Sequence, residues 1–294
     1  MGLDFIFRKV KKNVRKWFRY FVKKLQRVEP IYVPVLQDEL LKGRVALITG
    51  GTSGIGFAIA VAFVKAGASV IITGRNKDRL EATKLELERN ACSRVSYIVM
   101  DNSDVSSIRA GIDTLYSLAS NTKVDILVNN AGMCKGCFGS TSERDWDDVL
   151  DTNLKGTYFL SQEFSNYLKK YQIKGNILNV CSSSSLRPGN SPYILSKWGV
   201  RSFTVGLAKT LLPYGIVVNG IAPGPTATPM LGKFKEDEDL SLGGNPSGRY
   251  ATSAEISNMA VILVSDIGRM VVGDIVYMTG GAGVLTFDDV KYSF

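Results

Sequence analysis

Tyr193 and Lys197 stand one helical turn apart in a chain of 294 residues that contains no histidine. Histidine is the side chain that enzymes most often use to move protons near neutral pH. Without it, proton chemistry needs another acid or base. A phenol and an ammonium on one helix face can serve. The cation favours the phenolate and is expected to lower the phenol's pKa toward a useful range. The same pair also occurs on helices that do no chemistry, so its meaning depends on what else the chain carries.

A second group of residues can hold an anion. Arg44-Val-Ala-Leu-Ile-Thr49 reads as a short apolar strand. It runs into Gly50-Gly51-Thr52-Ser53-Gly54-Ile55-Gly56 and then an apolar helix from about Ile55 to Ala66. A glycine turn between strand and helix lets a pyrophosphate approach the backbone closely. The helix N-terminus adds N–H groups and a positive dipole.

The elements that must position these residues follow from periodicity. Further strands are expected at Ser69–Thr73, Val95–Val99, Val124–Val128, Asn176–Val180, Ile216–Asn219 and Ile275–Tyr277, with helical segments between them. Seven strands joined by crossover helices predict an α/β fold with a doubly wound, mostly parallel, Rossmann-like sheet. The pattern gives one catalytic unit over residues 44–283, a tail over 284–294, and no internal repeat. A hydrophobic content of 45% and 29 glycines suit such a core and its turns.

The charge lies elsewhere. Residues 1–28 hold ten basic residues and one acid, Asp4, so their +9 equals the formal charge of the whole chain and the rest balances. Leu3, Phe7, Val10, Val14, Trp17, Phe21, Leu25 and Val28 recur at steps of three or four, which predicts a basic amphipathic helix over 1–29 and a linker over 30–43 starting at Pro30. No uninterrupted apolar run makes it a signal peptide or a membrane span. Ile6 stands where a myristoylation signal needs Ser or Thr. The stripe suits an anionic membrane surface or a partner subunit. Nucleic acid is not expected, because charge alone leaves the stripe unexplained.

Four cysteines without a secretory signal point to a reducing, cytoplasmic setting, with peripheral attachment to the inner membrane face as the amphipathic-helix alternative. Cys134-Lys135-Gly136-Cys137 reads as two reduced loop thiols before a redox pair. A zinc site would need all four thiols, including Cys92 and Cys181, so no metal is expected.

Gly50-x-x-x-Gly54-Ile55-Gly56, Asn129-Asn130-Ala131-Gly132 after the fourth strand, and Tyr193-x-x-x-Lys197 together resemble the short-chain dehydrogenase/reductase family, from about Leu40 to about Gly283. The resemblance implies an NAD(P)-dependent oxidoreductase acting on a small carbonyl or alcohol substrate, working as a homodimer or homotetramer. It implies that Asn153, Ser182, Tyr193 and Lys197 are catalytic, with Ser183 as the other choice of serine. Tyr193 would exchange the proton, and Lys197 would also bind the nicotinamide ribose. Ser182 would polarise the carbonyl, and Asn153 would hold a water that links Lys197 to solvent. Cofactor contacts implied are Gly50, Thr52, Ser53, Gly54, Ile55 and Gly56 at the glycine turn. Asp101 and Asn102 would lie near the adenine, beside Asn130, Ala131 and Gly132. Pro223, Gly224 and Thr228 would hold the nicotinamide end. Three features depart from the pattern. The Ser182–Tyr193 interval is two residues short, Asn102 replaces an apolar residue, and Thr279-Gly280-Gly281 stands where Asp-Gly-Gly is common.

Charge then bears on the cofactor's phosphate. The second strand ends Thr73-Gly74-Arg75-Asn76, with no acid before Asp78. An acid there would accept from NAD's ribose hydroxyls and repel a 2′-phosphate, whereas Arg75 can pair with that phosphate. NADP(H) is therefore expected over NAD(H). Met133, Cys134, Cys137 and Phe138 follow the Asn-Asn-Ala-Gly turn and suggest a partly apolar substrate. A lid is expected over Thr226–Tyr250. Two alternatives remain in the sequence: a non-redox epimerase or dehydratase of the same family, and a cofactor-binding interaction protein without turnover.

Overall fold

The computed structural model describes residues 14, 17, 39–89, 94–118, 122–232 and 239–285. Most of the basic segment therefore lies outside the described residues. Val14 and Trp17, three apart in its apolar stripe, are both exposed. Among the described residues no helix is long and apolar enough to cross a membrane.

The seven strands are β1 (Val45–Thr49), β2 (Ser69–Gly74), β3 (Val95–Val99), β4 (Ile126–Asn129), β5 (Gly175–Val180), β6 (Ile216–Pro223) and β7 (Ile275–Met278). They lie in the order β3-β2-β1-β4-β5-β6-β7. The sheet is doubly wound as expected, and every neighbouring pair is joined in parallel register. The helices are α1 (Gly54–Lys65), α2 (Lys77–Glu88), α3 (Val105–Leu118), α4 (Glu143–Leu150), α5 (Gly156–Lys170), α6 (Pro192–Leu211) and α7 (Ser253–Val264). A strand covered on both faces needs apolar residues at successive positions. β1 supplies them: Ala46 and Ile48 join the layer of α1, α2 and α7, while Leu47 joins that of α3, α5 and α6. The strand order reverses between β1 and β4, which opens a crevice beyond their carboxyl ends.

Three differences from the sequence reading are local. β4 begins at Ile126, although Asp125 already bonds both neighbouring strands, its N–H donating to Val45 O (3.0 Å) and its carbonyl accepting from Asn176 N–H (2.8 Å). Val124 N–H donates to the Tyr167 hydroxyl (3.2 Å), and the Asp125 carboxylate accepts from Val45 N–H (2.9 Å) and from the Arg44 guanidinium. The linker read over 30–43 ends sooner, because Leu41 is fully buried in the core and its N–H donates to Ala66 O at 2.8 Å. Between α4 and α5 the helix widens into a π turn, Asp151–Lys155. Nothing in the side-chain pattern signals that turn, and it holds Asn153.

Candidate active site

The glycine turn is built by its neighbours. Thr49, at the end of β1, accepts through Oγ1 from the N–H groups of Asn130 and Ala131, both at 2.9 Å. Asn130 Nδ2 returns two donations, to Thr49 O (2.9 Å) and Gly50 O (3.2 Å). A Cβ at Gly56 would collide with that amide, so the residue there must be glycine for the turn to pack against β4. The Asn130 side chain therefore braces the turn, and its amide donors are not free for a ligand. Ser53 precedes α1 without capping it through its side chain, which leaves the helix N-terminus to an incoming acceptor. Thr228 closes over the turn, its Cβ and Cγ2 3.6 Å from where a Cβ on Gly54 would lie. Pro223 ends β6, and Gly224 N–H donates to Met278 O at 2.9 Å, fixing the start of that segment.

The adenine end is only partly as expected. Arg75 is exposed between β2 and the Asn76 cap of α2, and Thr52 packs against the neighbouring Gly74 position. Asp101 Oδ1 accepts from Ser103 N–H (2.9 Å) and Ser103 Oγ (2.7 Å), so one carboxylate oxygen shapes the turn and Oδ2 is left for a ligand donor. Asn102 departs from the expected cofactor contact. Its side chain turns inward, and Nδ2 donates to Thr152 O in the π turn at 2.8 Å. Its Oδ1 is buried without a partner among the described residues, at a cost of about 1–3 kcal/mol.

The four expected catalytic side chains converge where β4 and β5 end. α6 starts sharply, with Ser191 accepting from Ile194 N–H (3.3 Å) and Pro192 in the first turn. That start places Tyr193 and Lys197 on successive turns. The Ser182 hydroxyl accepts from Ser184 N–H at 3.1 Å and lies near enough to the Tyr193 phenol to favour its ionised form. Ser183 is turned away: its Oγ accepts from Arg187 Nη1 at 3.0 Å. Lys197 is 6% exposed; Nζ donates to Val180 O at 2.8 Å and lies 5.8 Å from the centroid of the Tyr193 ring. Gly132 approaches both Lys197 Nζ and Asn153 Oδ1, at 3.7 Å and 3.3 Å from where its Cβ would be.

Asn153 is 1% exposed, and its side-chain amide already bonds three protein groups. Oδ1 accepts from Met133 N–H (2.8 Å), and Nδ2 donates to Met133 O (2.9 Å) and Ser196 Oγ (3.0 Å). Ser196 in turn donates to Tyr193 O at 2.7 Å. The sequence reading missed Thr49 and Ser196. Ser196 had a signal, since a serine inside a helix commonly bonds back to a carbonyl three or four residues earlier.

The electrostatics reverse the first expectation. Burial is the largest influence on Tyr193 and pushes its phenol above the ordinary value. The Ser182 hydrogen bond opposes this without overcoming it. Burial also pushes Lys197 below the ordinary ammonium value, partly offset by Cys181. Desolvation is the largest influence on each group and disfavours the charged form of each. Cys181 is itself buried, with a pKa raised to about 11, while Cys134 and Cys137 are exposed free thiols on the loop after β4.

The uncapped helix, the glycine cradle and the exposed arginine fit a phosphate-bearing dinucleotide; the phenol, hydroxyl and ammonium fit an oxygen that gains or loses a proton. The model of the short chain dehydrogenase family matches residues 44–239. The chain is 34% identical to a 3-oxoacyl-[acyl-carrier-protein] reductase FabG of Aquifex aeolicus (strain VF5), over 82% of this chain and 98% of that protein. It is 36% identical to an acetoacetyl-CoA reductase of an Acinetobacter species (strain RA3849), over 81% and 97%. Its fold matches a gluconate 5-dehydrogenase from Burkholderia cenocepacia J2315, solved in complex with NADP and tartrate. That match has a TM-score of 0.75 and 30% identity, over 84% of this chain and 98% of that one. The chain therefore belongs to the short chain dehydrogenase family, and is an NAD(P)-dependent enzyme of alcohol and carbonyl groups.

Proposed function

We propose that this protein is an NADP(H)-dependent reductase of an apolar ketone or aldehyde, with Tyr193 as the general acid. The observation that carries this reading is the placing of Tyr193 one helical turn from buried Lys197, with Ser182 acting on the phenol and Lys197 anchored on Val180 O. Gly50–Gly56 and the start of α1 would hold the cofactor's pyrophosphate, Asp101 its adenine, and Pro223–Thr228 its nicotinamide end. When bound, the cofactor supplies the hydride. The chain's own residues do the rest. Ser182 donates to the carbonyl oxygen and polarises it. Tyr193 delivers the proton to that oxygen. Lys197, anchored on Val180 O, stands by to return a proton toward the phenol and to bind the ribose. Because burial raises the phenol's pKa, Tyr193 holds its proton throughout the neutral range. That is the form needed for reduction.

Arg75, exposed with no carboxylate before Asp78, supports a 2′-phosphate partner and hence NADP(H) over NAD(H). The apolar substrate rests on the rim. Phe138 is tied to the loop before α6 by its N–H donation to Asn190 O (3.1 Å), Leu195 packs at Gly189, and Met230 and Leu231 follow Thr228; all four side chains are exposed. Such a rim suits an acyl chain better than a polyhydroxy acid. Exposed Tyr158 on α5, with Trp198 and Val205 on α6, supports assembly into a homo-oligomer. The basic stripe of residues 1–28 supports docking on an anionic membrane surface, where apolar carbonyl compounds concentrate.

Four outcomes are expected. In an NADPH-consumption screen, acetoacetyl-CoA and medium-chain 3-oxoacyl thioesters are reduced faster than 5-ketogluconate, and the protein co-sediments with anionic vesicles. NADPH consumption by none of these carbonyls contradicts the reductase reading, and failure to sediment contradicts the membrane one. Tyr193→Phe lowers kcat by roughly a hundredfold or more while NADPH binding is little changed; turnover near wild type would sink the assignment of the acid. Arg75→Asp weakens NADPH binding relative to NADH by about tenfold or more. An unchanged ratio shows that Arg75 is only a solvated residue ahead of α2.

A further inference from the structure

We infer that Asn102 is a positioning residue for the catalytic centre: it clamps the π turn that presents Asn153 to the loop after β4 and to the tyrosine helix. The inference rests on the reading of Tyr193 as the acid. A π turn shifts the helix hydrogen-bond register by one residue, so its carbonyls do not all meet the usual backbone donors. Two carbonyls of this turn take side-chain donors. Asn102 Nδ2 serves Thr152 O at 2.8 Å, and Thr157 Oγ1 serves Asn153 O at 2.8 Å.

The fit is close. A Cβ at Gly156, directly after the turn, would run into the carbonyl and amide of Asn102. The β3–α3 loop therefore seats directly on the start of α5. Asn102 is 8% exposed and leaves its Oδ1 unpartnered. An apolar side chain would avoid that orphaned acceptor, so Asn102 is a poor choice for packing alone. What it adds is the donor to Thr152 O. From there a continuous chain of contacts reaches the acid. The π turn sets Asn153, whose amide holds Met133 N–H and O and reaches Ser196 Oγ, and Ser196 holds Tyr193 O. Asn102 touches neither the reacting groups nor, through its side chain, the cradle; it acts through Asn153.

The test compares Asn102→Val, Asn102→Asp, Asn153→Ala and the Asn102→Val/Asn153→Ala double variant, with Tyr193→Phe as reference. Acetoacetyl-CoA reduction, NADPH binding and thermal melting are read in each. Asn102→Val removes the orphaned Oδ1 but leaves Thr152 O without its side-chain donor, so the two effects offset and it should melt close to wild type. Its kcat should fall roughly tenfold to a hundredfold, the range expected for slight misplacement of a catalytic group. KM for NADPH should stay close to wild type. Asn102→Asp, of the same shape but with an acceptor facing Thr152 O, should lose at least as much kcat, and it keeps the test open if the valine variant folds poorly. The double variant should be no slower than Asn153→Ala, because both substitutions disable one device. Wild-type kcat in both Asn102 variants, or losses that multiply in the double variant, overturn the inference. Wild-type turnover in Tyr193→Phe instead overturns the reading of the acid, and does so whatever the Asn102 variants show.

Discussion

The side-chain amide of Asn153 is the contact on which the site depends. Its oxygen accepts one bond and both its donor hydrogens are used, on two different segments: the Met133 backbone after β4, and Ser196 on the tyrosine helix. A buried amide left half-satisfied would cost stability, so the two segments are held to the positions that satisfy it. The loop after β4 also carries the Asn130 amide that braces the glycine turn. One set of hydrogen bonds thus ties the cofactor cradle to the helix bearing Tyr193 and Lys197. The π turn follows from the same need, since it places Asn153 between α4 and α5 at the height of Met133.

Burial, and not the neighbouring cation, governs the acid–base pair. Tyr193 and Lys197 lie close, and a simple Coulomb argument has the ammonium draw the phenol's pKa down. In the folded chain both groups lose water, and losing water disfavours phenolate and ammonium alike. The tyrosine is left protonated, and the lysine holds its proton less firmly than an exposed ammonium does. That arrangement suits a donor to a carbonyl oxygen better than a standing base.

Much of the fold was legible because it repeats one signal. Apolar runs such as Ala46-Leu47-Ile48, bounded by glycine and polar residues, identify strands covered on both faces, and all seven expected strands are present, with β4 starting later and β6 running longer than expected. The glycine turn and the Tyr193–Lys197 spacing were legible because backbone geometry leaves few residue choices there. Other features were not, and the reasons are physical. The π turn depends on tertiary partners, Asn102 and Met133, that lie about 50 and 20 residues away in sequence. The inward turn of Asn102 depends on the bare Gly156 facing it. The sign of the Tyr193 shift depends on how much water the site excludes, which spacing along a helix does not report. Among four consecutive serines, only packing distinguishes Ser182, which acts on the Tyr193 phenol, from Ser183, bonded to Arg187.

The most direct test is the ionisation of Tyr193 itself, read as phenolate absorbance during an alkaline titration of the protein alone and taken as the difference between wild type and Tyr193→Phe. The account expects this phenol to ionise above the ordinary tyrosine value of about 10. Ionisation below that value would mean that Lys197 outweighs burial, and would contradict the claim that desolvation sets the protonation state of the acid.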